Sequence, residues 1–334
     1  MEILSSNNYV STENMQQDFA GIKDAISLPS SGTAVEFQVG DILISNIRPY
    51  LKKIWLSDRN GGCSTDVLAL RAKNEKVDSS FLYCCLANDD FVSYVMSGAK
   101  GVKMPRGDKQ HILSYNLGVP SVQEQRRIAE LVSLLEKRIS AQSKIIEEQE
   151  TLLKSLANKM FLQNNFSSQL SELVNIEKGK QLNADTLSET GDYYVMNGGI
   201  TPSGYYSEYN VPAGAISISE GGNSCGYVQF NEKPFWSGGH CYSLRCRTNL
   251  MDYKYIYYYL KTKEADVMAL RIGSGLPNIQ KKDIEKFTIT YPSLQLQKQF
   301  VKALDALSGK IKTEKNLLEK YCQQKSYLLS QMFI

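Results

Sequence analysis

The chain has 334 residues, 42% of them hydrophobic and 22% charged, with a formal net charge of +3. That composition is globular, is long enough for two ordinary domains and excludes a disordered chain. The small net charge excludes a uniformly basic coat, so any polyanion-binding surface has to be local.

In chain order, residues 1–121 read as a β-rich domain, with short alternating strands in "DILIS" (41–45) and "DVLALR" (66–71) around the glycine turn of "RNGG" (59–62). A helical stretch follows, "SSFLYCCLANDDFVSYVMS" (79–97). Residues 122–165 read as one long helix. Its positions Ile128, Val132, Leu135, Ile139, Gln142, Ile146, Gln149, Leu153, Leu156 and Met160 step by four and three without interruption, which is a heptad seam. Residues 166–293 read as a second β-rich domain, with "AISIS" (215–219), "CYSLR" (241–245) and the glycine clusters "EGGN" (220–223) and "SGGH" (237–240). It has its own helical stretch, "YKYIYYYLKTKEADVMALR" (253–271). Residues 294–334 close the chain with a second long helix, seamed by Phe300, Leu304, Leu307, Ile311, Glu314, Leu318, Tyr321, Lys325, Leu328 and Met332. An ordinary amphipathic helix lying on a core would show a similar stripe. Two seams of matching length, each leaving a separate domain, predict that the helices pair with each other. The polar positions Gln142, Gln149, Glu314 and Lys325 then fix the register at some cost in stability.

The two halves are copies of one plan. "VPSVQEQRRIAELVSLLEKRI" (119–139) returns 172 positions later as "YPSLQLQKQFVKALDALSGKI" (291–311), aligning Gln123 with Gln295 and Gln125 with Gln297. The same offset aligns Pro105 with Pro277, Ile112 with Ile284 and Tyr115 with Phe287. An offset of 174 lays "GDILIS" (40–45) on "GAISIS" (214–219). Strands and helices mix irregularly, so the expected class is α+β. From Ile128 to Met160 the first helix is a rod of about 48 Å at ~1.5 Å per residue. Two like domains on a rod suit a ligand with two separated sites, of which DNA is the commonest.

Candidate DNA contacts are cations for phosphates and polar or aromatic loop residues for base edges. The sharpest cluster is "KGVKMPRGDKQ" (100–110), with Lys100, Lys103, Arg106 and Lys109 around a Gly/Pro turn. Its counterpart "RIGSGLPNIQKK" (271–282) supplies Arg271, Ser274, Asn278, Lys281 and Lys282. "NIRPYLKK" (46–53) adds Arg48, Lys52 and Lys53, for which a polar strand end is an equal reading. In the second domain Asn197, Tyr205, Tyr206 and Asn223 are candidate base or sugar contacts, against turn chemistry alone.

Catalytic signatures are missing from the sequence. There is no FxGxG loop, no [DNS]PP[YFW] tetrapeptide and no GxxxxGK phosphate loop. "DIEK" (283–286) reads as a solvated turn before it reads as a metal site. Seven cysteines form no CxxC pair and share the chain with two histidines, so reduced core cysteines are expected, with no metal site. The chain is expected not to be an enzyme. It carries no evident signal peptide and no apolar run near the ~20 residues that span a bilayer, so a cytoplasmic protein without membrane contact is expected.

"YVSTENM" (9–15), "GDILISNIRPYLKKIW" (40–55), "GVKMPRGDKQHILSYNLGVPSVQEQRRIAELVSLLEKRI" (101–139) and "GSGLPNIQKKDIEKFTITYPSLQLQKQF" (273–300) together resemble the specificity (S) subunit of type I restriction-modification systems. The resemblance covers nearly the whole chain, in the order domain, helix, domain, helix. It implies two target-recognition domains that read a bipartite DNA site. It also implies helices that pair antiparallel, set the gap between half-sites and dock two methyltransferase subunits, with restriction subunits joining that core. Cofactors are then expected in the partners (S-adenosylmethionine, ATP and Mg) and none in this chain. One departure stands out: residues 167–192 have no counterpart before "NNYVSTENM", so the first domain is expected to be clipped at its start or rearranged. Two other readings stay open, a coiled-coil scaffold that assembles partners and a rearranged cassette without full DNA recognition.

Overall fold

The computed structural model describes residues 4–29, 34–162, 165–273, 275 and 277–332. Its first half runs β1 (Tyr9–Val10), β2 (Val35–Phe37), β3 (Ile42–Ser45), β4 (Ile54–Leu56), β5 (Gly61–Cys63), β6 (Val67–Leu70), α1 (Ser79–Leu86), α2 (Asp89–Ser97), α3 (Lys109–Leu113) and α4 (Val122–Phe161). The second half opens with β7 (Phe166–Gln169), α5 (Leu170–Leu173), β8 (Val174–Lys178), β9 (Tyr193–Met196), β10 (Tyr205–Tyr206), β11 (Ala215–Ser219) and β12 (Val228–Asn231). It continues through β13 (Trp236–Ser237), β14 (Cys241–Cys246), α6 (Tyr253–Thr262), α7 (Glu264–Ala269), α8 (Lys281–Glu285), β15 (Thr288–Tyr291) and α9 (Leu294–Met332). Short strands and helices mix without a regular βαβ order, the α+β arrangement the sequence predicts. Packing divides the chain into two units, residues 1–144 with 316–334, and residues 145–315. Among the described residues no helix is long and apolar enough to cross a membrane.

In the first unit β3 is the centre of an antiparallel sheet ordered β4-β3-β6. Ile42, Ile44 and Ile54 on one face pack against Leu86, Phe91, Val95 and Ile112 of the short helices. Leu43 points the other way, toward Val10, Met15, Phe37 and Cys63, as the two-residue period of a strand requires. That second cluster is backed by a small sheet, β1-β5-β2, in which β1 and β5 run parallel.

The second unit repeats the plan. Its main sheet is β12-β11-β14-β8, joined by a sheet β10-β9-β13 and a pair β15-β7. Ile216, Ile218 and Leu244 are fully buried against Tyr255, Ile256 and Leu260 of α6. Gly40 and Gly214, equivalent residues just ahead of the central strands, have φ of +86° and +77°. That conformation suits glycine, so the turn is built the same way twice.

The repeated glutamines hold one junction in each copy. Gln125 and Gln297 lie in the first turn of α4 and α9 and are fully buried. The Gln125 side-chain oxygen accepts from the Asp78 N–H at 2.8 Å, and its amide donates to the carbonyls of Lys76 and Pro120, both at 2.8 Å. Gln297 does the same with the Asp252 N–H (2.8 Å) and the carbonyls of Leu250 (3.2 Å) and Pro292 (2.9 Å). Asp78 and Asp252 are themselves the N-caps of α1 and α6. Each long helix is thereby fastened to the start of its domain's helix.

Both units contain a piece of helix pairing. In the first, Glu136 meets Lys325 at 2.6 Å, and the Arg138 guanidinium lies 5.0 Å from the centre of the Tyr321 ring. In the second, Glu150 meets Lys315 at 2.6 Å, while Leu304 is buried in a cluster with Ala157 and Phe161. Positions rise along α4 as they fall along α9, which is antiparallel pairing. All seam positions from Ile128 to Met160 and from Phe300 to Leu328 are buried or half-buried. Lys325 satisfies its seam position through Glu136.

All seven cysteines are free, and five are buried as expected. Burial pushes the thiols of Cys63 and Cys241 up to about 11 and those of Cys84 and Cys85 up to about 12. Cys246 and Cys322 depart from the expectation and are exposed, one at the end of β14 and one on α9.

Candidate nucleic-acid interface

Each unit carries one loop that is closed and anchored in the same way. In the first, Lys100 and Arg106 exchange two backbone hydrogen bonds, both 2.9 Å, enclosing a turn in which Gly101 has φ +98°. The loop is tied to the end of β3, because Arg48 N–H donates to Pro105 (2.8 Å) and Gly107 N–H donates to Asn46 (3.1 Å). In the second, Ile272 and Asn278 exchange bonds of 2.8 and 3.0 Å, and Gly273 has φ +99°. Gly222 N–H donates to Pro277 (3.0 Å) and Ile279 N–H donates to Glu220 (2.9 Å). Every one of these bonds in the second unit is the repeat counterpart of one in the first.

The correspondence has one instructive break. Gly222 has φ +77°, and the residue at its place in the first unit is Arg48, with φ +50°. A glycine adopts that conformation freely, whereas for arginine it costs of order 1 kcal/mol or more. The cation is held where backbone geometry alone favours glycine.

The structure sorts the expected contacts by what already occupies them. Lys52 binds Asp89 at 2.7 Å, and Lys53 donates to the Thr12 carbonyl at 2.6 Å. Lys100 binds Asp108 at 2.9 Å and Arg106 binds Asp66 at 3.1 Å. The Asp108 carboxyl is held below the usual range by the Lys100 hydrogen bond and then by the N–H groups of His111 and Gln110. In the second unit Lys281 lies 3.6 Å from Glu285, which deals with one carboxylate of "DIEK". Exposed Arg48, Lys103, Lys109, Arg271 and Lys282 have no ion pair among the described residues. Asn197 accepts from the His240 N–H at 2.9 Å. Tyr205 and Tyr206 sit on β10, the latter edge-on to Trp236 with ring centres 5.1 Å apart. Asn223 and Asn278 are exposed, and Ser274 lies outside the described residues.

Beside the second loop, Gly198, Gly221, Gly222, His240, Pro277 and Asn278 line a cavity of about 340 Å³. Three glycines leave part of its wall without side chains. Under it Glu220 is buried, with one oxygen 2.6 Å from Lys178 and 2.9 Å from the Tyr242 hydroxyl, and the other 3.5 Å from His240 Nδ1. Burial first, and then the carboxylate, push the Tyr242 hydroxyl far up. His240 thus stands over a braced carboxylate at the cavity mouth, half-exposed, with a ring that can hydrogen-bond a base edge. Sequence reasoning missed Glu220 and His240. Their signal lay in the glycine clusters that contain them, "EGGN" and "SGGH". Among the described residues no group of three or more His, Cys, Asp or Glu is placed to hold a metal ion.

Comparison with known proteins bears on this arrangement directly. Residues 7–151 and 164–320 each match the family described as type I restriction modification DNA specificity domain. A Mycoplasma pneumoniae protein described as a type I specificity subunit is 34% identical over 152 residues, 45% of this chain and 40% of that one. A Mycoplasma genitalium protein with the same description is 28% identical over 192 residues, 53% of this chain and 49% of that one. The matches therefore span less than half of these relatives' lengths. The crystal structure of a type I restriction-modification S subunit from M. genitalium shares the fold, with a TM-score of 0.72 at 20% identity, over 100% of this chain and 92% of that one. With a matched segment in each half of a duplicated fold, the chain belongs to the type I restriction-modification DNA specificity family.

Proposed function

We propose that the chain is the DNA sequence-recognition subunit of a type I restriction-modification complex. Each unit reads one half of a bipartite target, the paired helices set the gap, and the chain itself performs no chemistry. The observation that carries this reading is the duplicated loop, fastened by the same backbone bonds in both units and bordered by exposed cations that have no ion pair among the described residues. Arg48, Lys103 and Lys109 serve phosphates in the first unit, and Arg271 and Lys282 serve them in the second. Asn197, Tyr205, Tyr206, Asn223, Asn278 and His240 face base edges or sugars. Lys52, Lys53, Lys100, Arg106 and Lys281 have their charges engaged within the fold and support the loops. A two-fold repeat of domain and helix offers two equivalent docking faces, hence two methyltransferase subunits, with restriction subunits outside them. S-adenosylmethionine, ATP and Mg act in those partners, beside genomic DNA in the cytoplasm.

One observation favours a second reading for the first half alone. Four of its seven candidate cations are tied into ion pairs or backbone contacts, as in a rearranged cassette with one weak reader.

Fluorescence anisotropy with mixed-sequence duplex, with and without methyltransferase, tests the main reading. Log affinity should fall linearly with log salt as counterions are released. Replacing Lys103 and Lys109 with alanine should weaken binding on all sequences and flatten that slope by roughly one unit per lost phosphate contact. No retention of duplex even at low salt contradicts the proposal.

A further inference from the structure

The pairing of β11 with β14 runs one step past the strands themselves. After Ser219↔Cys241 the Glu220 N–H donates to the His240 carbonyl at 2.9 Å, so the two side chains are cross-strand neighbours on one face. Glu220 is only 3% exposed. One of its oxygens is engaged, accepting from the Lys178 ammonium (2.6 Å) and the Tyr242 hydroxyl (2.9 Å). The other is buried without a hydrogen bond among the described residues, and His240 Nδ1 lies 3.5 Å from it. A buried carboxylate oxygen without a donor is costly, and the imidazole N–H is the donor within reach. The ring proton therefore belongs on Nδ1. In the neutral ring that leaves Nε2 a bare acceptor, on an exposed side chain that lines the glycine-walled cavity with Asn278.

The same place in the first unit is built differently. The residues 174 positions earlier are Asn46 and Asp66. The Asn46 side-chain oxygen is again buried without a hydrogen bond among the described residues, but Asp66 binds Arg106 at 3.1 Å. A carboxylate–imidazole pair at this place belongs to the second unit alone.

We propose that His240 selects, at one position of the half-site read by the second unit, a base whose exposed edge carries an exocyclic amine, adenine or cytosine. Glu220 is the positioning residue that sets this choice by holding the proton on Nδ1. Such selection presupposes the DNA-recognition function proposed above. Nε2 accepts from the adenine N6 or cytosine N4 amine, whereas guanine O6 or thymine O4 would bring lone pair against lone pair. Glu220→Gln should invert the choice. Lys178 can only donate, so the amide oxygen keeps the Lys178 and Tyr242 side and the amide NH₂ turns toward His240. Nδ1 then accepts, the proton moves to Nε2, and the ring becomes a donor that prefers guanine or thymine.

Two measurements on the intact chain test this, both at pH 8, where an ordinary imidazole is neutral. The chain has only two histidines, so nitrogen-15 spectra of histidine-labelled protein read each tautomer, with His240→Ala assigning the signals. His111, whose Nε2 donates to the Tyr94 carbonyl at 2.9 Å, is the reference for the opposite tautomer. His240 should carry its proton on Nδ1 in the wild type and on Nε2 in Glu220→Gln. The second measurement selects duplexes from a pool randomised across both half-sites, with the cognate methyltransferase present. One position should favour adenine or cytosine about tenfold, and the enriched base tells one from the other. An analogue without the amine there (purine for adenine, pyrimidinone for cytosine) should cost the wild type that factor and His240→Ala nothing. Glu220→Gln should turn this position, and no other, to guanine or thymine, with the other half-site and the gap unchanged. A wild-type ring protonated on Nε2, or a two-part motif that survives both substitutions unaltered, overturns the proposal and leaves the general DNA-recognition function standing. A wild-type chain that selects no motif overturns both.

Discussion

At the start of each long helix one glutamine amide meets backbone groups from another element. Gln125 and Gln297 are buried, and each makes three hydrogen bonds that no apolar residue of similar size can replace. Replacing either with leucine leaves one backbone N–H and two carbonyls of a partly buried junction without these partners. The expected loss is about 1–3 kcal/mol for each substitution, read by chemical denaturation. Gln123 and Gln295 repeat in the sequence just as faithfully, yet both are exposed. Repetition alone could not tell the clamp from its neighbour, because burial is a property of the packed domain. Arg48 makes a different case. Arg48→Gly relieves left-handed strain and adds backbone entropy to the unfolded chain, terms of opposite sign and similar size. Stability should stay within about 1 kcal/mol of wild type, while affinity falls on every DNA sequence. Lost stability with intact DNA binding would mean that the arginine serves the fold alone.

Among the elements, the long helices were the most legible. The four-three spacing in the sequence marks positions that are buried or half-buried in α4 and, as far as Leu328, in α9. Local periodicity suffices there, because each position's face is set by its own helix, even where, as at Ile128 and Leu304, that face packs on the domain core. β1 and β5 were not legible. They are two and three residues long and pair in parallel across more than fifty residues, so neither carries a period of its own. The Glu220–His240 pair was hidden for the same reason, since its members meet only when β11 and β14 are in register. The antiparallel seam gives a direct test. Leu135 is buried in the first unit's share of the pair and Leu304 in the second's. Aspartate at either place puts a charge in an apolar seam and should cost about 4 kcal/mol or more. Thermal melting followed by circular dichroism should show the loss in both variants. An unchanged melt would mean that the seam faces water.

For the whole molecule, the proposed function requires that one chain read two DNA half-sites at a distance set by its helices. Glu150 and Lys315 lie opposite each other in the antiparallel pair. Seven residues inserted after Gln149 and seven after Glu314 therefore keep both seams in phase. The insertion lengthens the pair by roughly 10.5 Å at ~1.5 Å per residue. That is about three base-pair steps at ~3.4 Å each. The added rotation of the duplex, about a third of a turn at ~10.5 base pairs per turn, weakens the complex without changing what each unit reads. The decisive measurement is genome-wide methylation mapping in cells carrying the cognate methyltransferase, with either the wild-type chain or the doubly extended one. The expected result is a two-part motif with a fixed gap for the wild type, and the same two half-sites about three base pairs further apart for the extended chain. Methylation that does not depend on the chain, or that keeps the original gap after extension, would contradict it.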